Sequence, residues 1–98
     1  MDTRTLETIL REELDQYTGE GLNASSTLTE NAAQQLYTIV DIATIRGQRS
    51  ASTVLIAQII ADKIVIERDT NNKPLVDALR ARGVPAQQII LAYQGEPI

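Results

Sequence analysis

Apolar positions in the first stretch of the chain repeat with a helical period. Leu6, Ile9, Leu10, Leu14 and Tyr17 recur three and four residues apart, which puts them on one face. Arg4, Glu7, Arg11, Glu12 and Asp15 take the opposite face, Asp2 or Thr3 can cap the start, and Gly19 and Gly21 stop the run. The spacing predicts a helix over 3–17. The pattern then fades: residues 18–33 are polar and small, and read as a loop with one short strand near Ser25–Thr29, where Thr27 and Leu28 favour extension. From Gln34 to Arg46 the sequence becomes apolar or β-branched at most positions. Gly47-Gln48-Arg49-Ser50 reads as a hairpin turn, residues 51–61 as a second strand, Asp62-Lys63 as a tight turn and residues 64–69 as a third strand.

Connections this short join antiparallel neighbours, because a parallel crossover needs a dozen residues or more. Val54, Leu55, Ile56, Ile59 and Ile60 are apolar at both parities, so the sheet needs cover on both faces along part of its length. After the loop Asp69-Thr70-Asn71-Asn72, Pro74 suits the first turn of a helix that runs to about Arg82 with Leu75, Val76 and Leu79 inward. Arg80 and Arg82 fall at the negative end of its dipole, Gly83 ends it, and residues 89–93 form a last strand. The expected fold class is α+β: an antiparallel sheet of four or five strands, a three-strand meander plus a C-terminal strand, with two helices in the order α-(β)-β-β-β-α-β. Residues 1–98 are expected to form one domain, since a chain of this length buries roughly 60–65% of its unfolded surface.

Composition sharpens this picture by exclusion. The chain has no Cys and no His, so disulfides, thiolate metal sites, thiol nucleophiles and the commonest general base are all ruled out. It has no Phe or Trp and three tyrosines, so Ile, Leu, Val and Ala must fill the core. No apolar signal core opens the chain and no run reaches the 18 or so residues of a membrane span, which points to a cytosolic protein with no membrane partner. The formal charge of −4 is uneven. Residues 1–30 carry seven acids and two arginines, whereas the remainder carries six acids and seven bases. The footprint of a nucleic-acid binder is absent, so any contact with nucleic acid is expected to be indirect.

One succession of residues resembles a known family. Ile64-Val65-Ile66-Glu67-Arg68-Asp69 is followed by a helix carrying Leu79, then Arg82-Gly83-Val84-Pro85 and Gln88-Ile89-Ile90-Leu91-Ala92-Tyr93. This resembles the XisI-like family, the excision controlling factors of the fdxN element in cyanobacteria. The helix LETILREELDQY and the segment QQLYTIVDI fit more loosely. Thr70 stands where the family usually has Gly, and where the family tends to follow its last strand with an aromatic, a histidine and a proline this chain has Tyr93, Gln94, Gly95 and Glu96 before Pro97. The resemblance implies an accessory protein of programmed DNA excision that works beside a separate recombinase. It also implies a protein partner, a second factor resembling XisH, and supplies no catalytic residue and no cofactor.

Seven residues are candidates for partner contact. Glu67, Arg68 and Asp69 form the most conspicuous charged cluster. They could also hold Mg²⁺ as a small metal-dependent nuclease or hydrolase would, although no lysine or histidine base stands nearby. The plainer alternative is a strand end, with Asp69 stabilising the turn. Arg46 and Arg49 flank the Gly47 turn and could meet phosphates, in the manner of a small DNA-binding excisionase. Two charges neutralise too few phosphates for useful affinity from one copy. Tyr37 and Tyr93 are candidate anchors, since tyrosine is enriched at binding hot spots, or core tyrosines with the hydroxyl at the rim. Asp41, between Val40 and Ile42, requires a partner or solvent at an edge. The acidic face of the first helix reads as solvated. The whole predicts a non-enzymatic contact protein, a homo-oligomer or the partner of an XisH-like protein, with no catalytic residue, metal or cofactor.

Overall fold

A computed structural model describes all residues, Met1–Ile98. Helix α1 spans Thr3–Asp15 and is capped by Asp2, whose carboxylate accepts from the Thr5 N–H at 2.8 Å. Its buried residues are Leu6, Ile9, Leu10 and Leu14, four of the five the periodicity places on the inner face. Tyr17 lies beyond the helix. The Thr18 hydroxyl donates to the Asp15 carbonyl at 2.8 Å and helps end the helix there. Tyr17 still packs against the core, and its hydroxyl donates to the Lys73 carbonyl at 2.7 Å, pinning the loop before the second helix.

Six strands follow, paired in chain order: β1 (Gly19–Glu20), β2 (Ala24–Asn31), β3 (Leu36–Ile45), β4 (Gln48–Ile60), β5 (Lys63–Asp69) and β6 (Ile89–Leu91). The first five are antiparallel. Helix α2 (Leu75–Ala81) crosses back so that β6 lies parallel to β5. The fold is the α+β arrangement expected, with six strands rather than four or five. The extra strand material falls in residues 18–33, where β2 is eight residues long and β1 pairs with it. That segment is polar because it forms the edge of the sheet. It is held by cross-strand pairs, Ser26 with Asp41 and Thr29 with Thr38.

The first hairpin turn is tighter than the sequence suggests, and the second is as tight as expected but lies one residue earlier. Arg46 and Gly47 make the first, with φ of 52° and 76°, and Ala61 and Asp62 make the second, with φ of 49° and 61°. Two successive left-handed residues match the twist of the flanking strands, so β4 starts at Gln48 rather than 51. The last strand is shorter than expected: Ala92–Gln94 turn as a 3-10 helix instead of continuing it.

The core lies on one face of the sheet. Tyr37 and Ile39 of β3, Leu55, Ala57 and Ile59 of β4, and Ile64 and Ile66 of β5 pack beneath α1 and α2, with Leu75, Leu79, Val84 and Ile89 completing the cluster. Each buried aliphatic here contributes about 1.5–3 kcal/mol. Two bulges bend this sheet. Ile39 faces Leu55 while Val40 faces Thr53, leaving Val54 extra, and Ile56 faces Arg68 while Ala57 faces Ile66, leaving Glu67 extra. The alternation sends Leu36, Thr38, Val40, Ile42, Thr53, Ile56, Gln58 and Ile60 to the opposite face, where all are half-buried and no helix covers them. Val65 and Ile90 share that face but are buried, where the turn at Ala92–Gln94 packs against β5. Beyond the core, the β3–β4 hairpin runs on with no buried residue from Val40 to Val54.

Candidate functional site

The charged cluster at the end of β5 is dispersed to three separate tasks. One oxygen of Asp69 accepts from the backbone N–H and the side-chain amide of Asn71, at 3.0 and 2.9 Å, and the other accepts from the Leu75 N–H at 2.6 Å. Leu75 opens α2, and its neighbour Pro74 offers no side-chain cap. Asp69 therefore does the capping from six residues upstream, which satisfies an orphan donor of the helix. The Arg68 guanidinium donates from Nε to the Thr53 carbonyl at 2.7 Å, across the bulge at Val54. Glu67 is the extra, exposed residue of its own bulge. The geometry does not assemble Glu67 and Asp69 into a pair of metal-binding carboxylates, and no three acids gather anywhere in the chain.

Tyr37 is a core residue. It is 1% exposed, with the Arg11 guanidinium carbon 5.9 Å from its ring centroid. Burial pushes its phenol above the ordinary value, assisted by the charge of Glu7. Tyr93 differs: it is 37% exposed in the C-terminal turn, and partial burial together with Asp69 and Asp77 raises its phenol as well. Asp41 is not left to solvent either. Its carboxylate accepts from the Ser26 hydroxyl at 2.6 Å on the neighbouring strand, so a hydroxyl supplies the partner.

The acidic face of α1 is tied down rather than merely solvated. Arg82, just past α2, donates to Glu12 and to Glu13 at 2.7 Å each, clamping the two helices together. Arg11 pairs with Glu30 of β2 and lies 3.9 Å from Glu7, joining α1 to the sheet edge. The sequence shows these charges but not their pairing, since the partners stand far apart along the chain. Arg82 to Glu12 spans 70 residues.

What remains free is the outer sheet face and the hairpin that extends it. Arg46 and Arg49 sit exposed at the hairpin end, next to Ile45, which is 64% exposed. Leu22, in the turn between β1 and β2, is 98% exposed. An open hollow of about 300 Å³ runs between these parts, lined by Leu22, Asn23, Ala24, Ser25, Ile42, Thr44 and Arg49. By alternation the cations Arg49, Lys63 and Arg68 belong to the outer face, while Glu7, Glu12, Glu13, Glu30 and Asp41 all belong to the helix side. Residues 42–61 contain two arginines and no acid. Ile45 and Leu22 were not singled out by the periodicity, because an apolar residue beside a turn carries no signal of its exposure.

A family model, that of the XisI protein, matches residues 2–97. The chain belongs to the XisI family. Solved structures agree in fold. A XisI-like protein from Anabaena variabilis ATCC 29413 superposes with a TM-score of 0.74 at 16% identity, over 94% of this chain and 84% of that one. The fdxN element excision controlling factor XisI from the same strain gives 0.64 at 24% identity, over 92% and 86%. No curated protein matches the sequence. XisI proteins thus keep this sheet and its two helices at identities where few side chains are shared. No helix of the chain is long and apolar enough to cross a membrane.

Proposed function

We propose that this chain is a XisI-type accessory factor of programmed DNA excision, acting by contact with other proteins and performing no catalytic step itself. The observation that carries this reading is the uncovered sheet face. Half-buried Val40, Ile42, Ile56 and Ile60 are bordered by exposed Arg49, Lys63 and Arg68. Apolar centres with arginine at the rim are what protein interfaces favour. Of the two carboxylates a hydrolase would need, Asp69 caps α2 and Glu67 stands exposed on its own bulge. Family membership supports the excision context, since a solved relative is an excision controlling factor.

The partner in this reading is a second factor resembling XisH, with a recombinase doing the cutting and joining. Isothermal titration of the purified chain with a XisH-like protein tests the proposal. Binding is expected, and Ile42→Asp together with Arg49→Glu, both on the outer face, should weaken it by about tenfold or more without changing the far-UV circular dichroism. Absence of binding, combined with metal-dependent DNA cleavage by the chain alone that Asp69→Asn abolishes, would replace this reading with a hydrolase.

A further inference from the structure

The two edges of the sheet are finished differently. At β6 the tail folds back: the Glu96 carboxylate accepts from the Leu91 N–H at 2.7 Å, and the Glu96 N–H donates to the Leu91 carbonyl at 3.2 Å. That edge is closed. At the other side β1 covers only the start of β2, pairing at Ser25 and Ser26.

Backbone direction along β2 follows from two bonds. The Asn23 carbonyl accepts from the Thr44 N–H and the Ala24 carbonyl accepts from the Gly21 N–H, each at 2.8 Å. Odd residues therefore bond towards β3 and even residues towards β1, because the two sides of a strand alternate. Leu28 and Glu30 are even and lie past the end of β1, so their N–H and C=O groups point outward with no partner in the chain.

Natural sheets defend such an edge with lysine, proline or a bulge. Thr27-Leu28-Thr29-Glu30-Asn31 contains no lysine and no proline, and its pairing with β3 runs without a register shift. Its one charge, Glu30, is already neutralised by Arg11. The free stretch is also bounded at both ends, by β1 on one side and by the 3-10 turn that begins at Ala32 on the other. A strand of the same five residues fits it.

We infer that the open edge of β2 pairs antiparallel with the same edge of a second copy, about a two-fold axis passing beside Thr29. Leu28 then faces Glu30 of the other copy, and the two exchange N–H···O=C bonds. The symmetry repeats the exchange, so all four free groups on each edge are satisfied. An isologous contact of this kind closes at two copies and leaves no further edge to extend. It rests on the reading of the chain as a contact protein but uses a different surface from the outer face.

Sedimentation equilibrium and light scattering on the full chain test it, with hydrogen exchange as the local readout. The expected result is a dimer of twice 10.8 kDa, whose Leu28 and Glu30 amides exchange about tenfold faster or more when dilution dissociates it. Two variants separate the surface from the fold. Glu30→Pro removes an outward N–H while leaving the bonds to β3, as proline on an edge strand allows, at an exposed position outside the core. Thr29→Lys sets two ammonium groups opposite each other at the axis and touches no buried residue. Both should run as monomers. A wild-type chain that stays monomeric at several hundred micromolar overturns the inference, and so does a dimer that both variants leave intact. A dimer that binds no second protein sinks the accessory reading and spares the edge pairing. A monomer that binds one does the reverse.

Discussion

Tyr17 illustrates how one side chain acquires a role its sequence position does not announce. Its hydroxyl donates to the Lys73 carbonyl at 2.7 Å, and its phenol is pushed up to about 12 from an ordinary value near 10. Burial is the main cause, followed by the negative charges of Asp69, Glu13 and Asp77. A raised folded-state value means the neutral phenol is favoured by the fold. The stability it contributes is complete below pH 10 and is lost as pH rises from there through about 12. Tyr37 and Tyr93 shift in the same direction. Urea unfolding followed between pH 9 and pH 12 should therefore show a falling midpoint. Tyr17→Phe should flatten that fall while lowering stability at neutral pH by about 1 kcal/mol through the lost hydrogen bond. Asp69 belongs to the same scale. Its type and place marked it as a site residue, yet the bond to the Leu75 N–H makes it a remote cap for α2.

At the level of elements, the two hairpin turns show a local preference overridden by pairing. Both are two-residue turns whose central residues have positive φ, and such turns favour Asn-Gly. The first is Arg46-Gly47, the second Ala61-Asp62. Ala61 at φ 49° carries the left-handed penalty of about 1–2 kcal/mol that a side chain with no local hydrogen bond cannot offset. Replacing it with asparagine should raise stability by roughly 0.5–1 kcal/mol, because asparagine tolerates that region and Ala61 is exposed. Thermal denaturation measures the difference, and an unchanged or lower midpoint would show that the turn is not under strain. The sequence placed these turns one to three residues late because their polar signal comes from Gly47–Ser50 and Asp62-Lys63, whereas the conformation is set by where the strands stop pairing. The β2 strand was legible only at its centre, Ser25–Thr29. A polar edge strand lacks the alternation that marks a half-buried one.

The whole molecule divides into a packed end and a bare end. Both helices sit over the part of the sheet that holds Tyr37, Leu55, Ala57, Ile64 and Ile66, while the hairpin from Ala43 to Ser52 has no buried residue. Protection from hydrogen exchange should follow that division. Amides of Leu55 and Ala57 should open only with global unfolding, and those of Ala43 and Ser50 should exchange on the order of a hundredfold faster or more. Uniform protection along β3 and β4 would mean that the hairpin is held by something besides its own ladder. The division also separates charge. Arg82 and Arg11 fix the acidic residues of α1 against the body, while the bare hairpin keeps its two arginines free.

The sequence by itself determined the class of the fold. Helical spacing from Leu6 to Leu14, branched aliphatics from Ile39 to Ile66, and the stop at Gly83 are local features, and local features decide which element forms. The absence of Cys and His likewise decides which chemistries the chain lacks. Only the tertiary structure decided which charged and aromatic residues are available. Tyr37 is sealed under Arg11, Asp69 is turned onto α2, Glu12 and Glu13 are taken by Arg82, and Arg46 and Arg49 are left in solvent. Those outcomes depend on residues brought together from distant parts of the chain, and spacing along a sequence carries no record of such meetings.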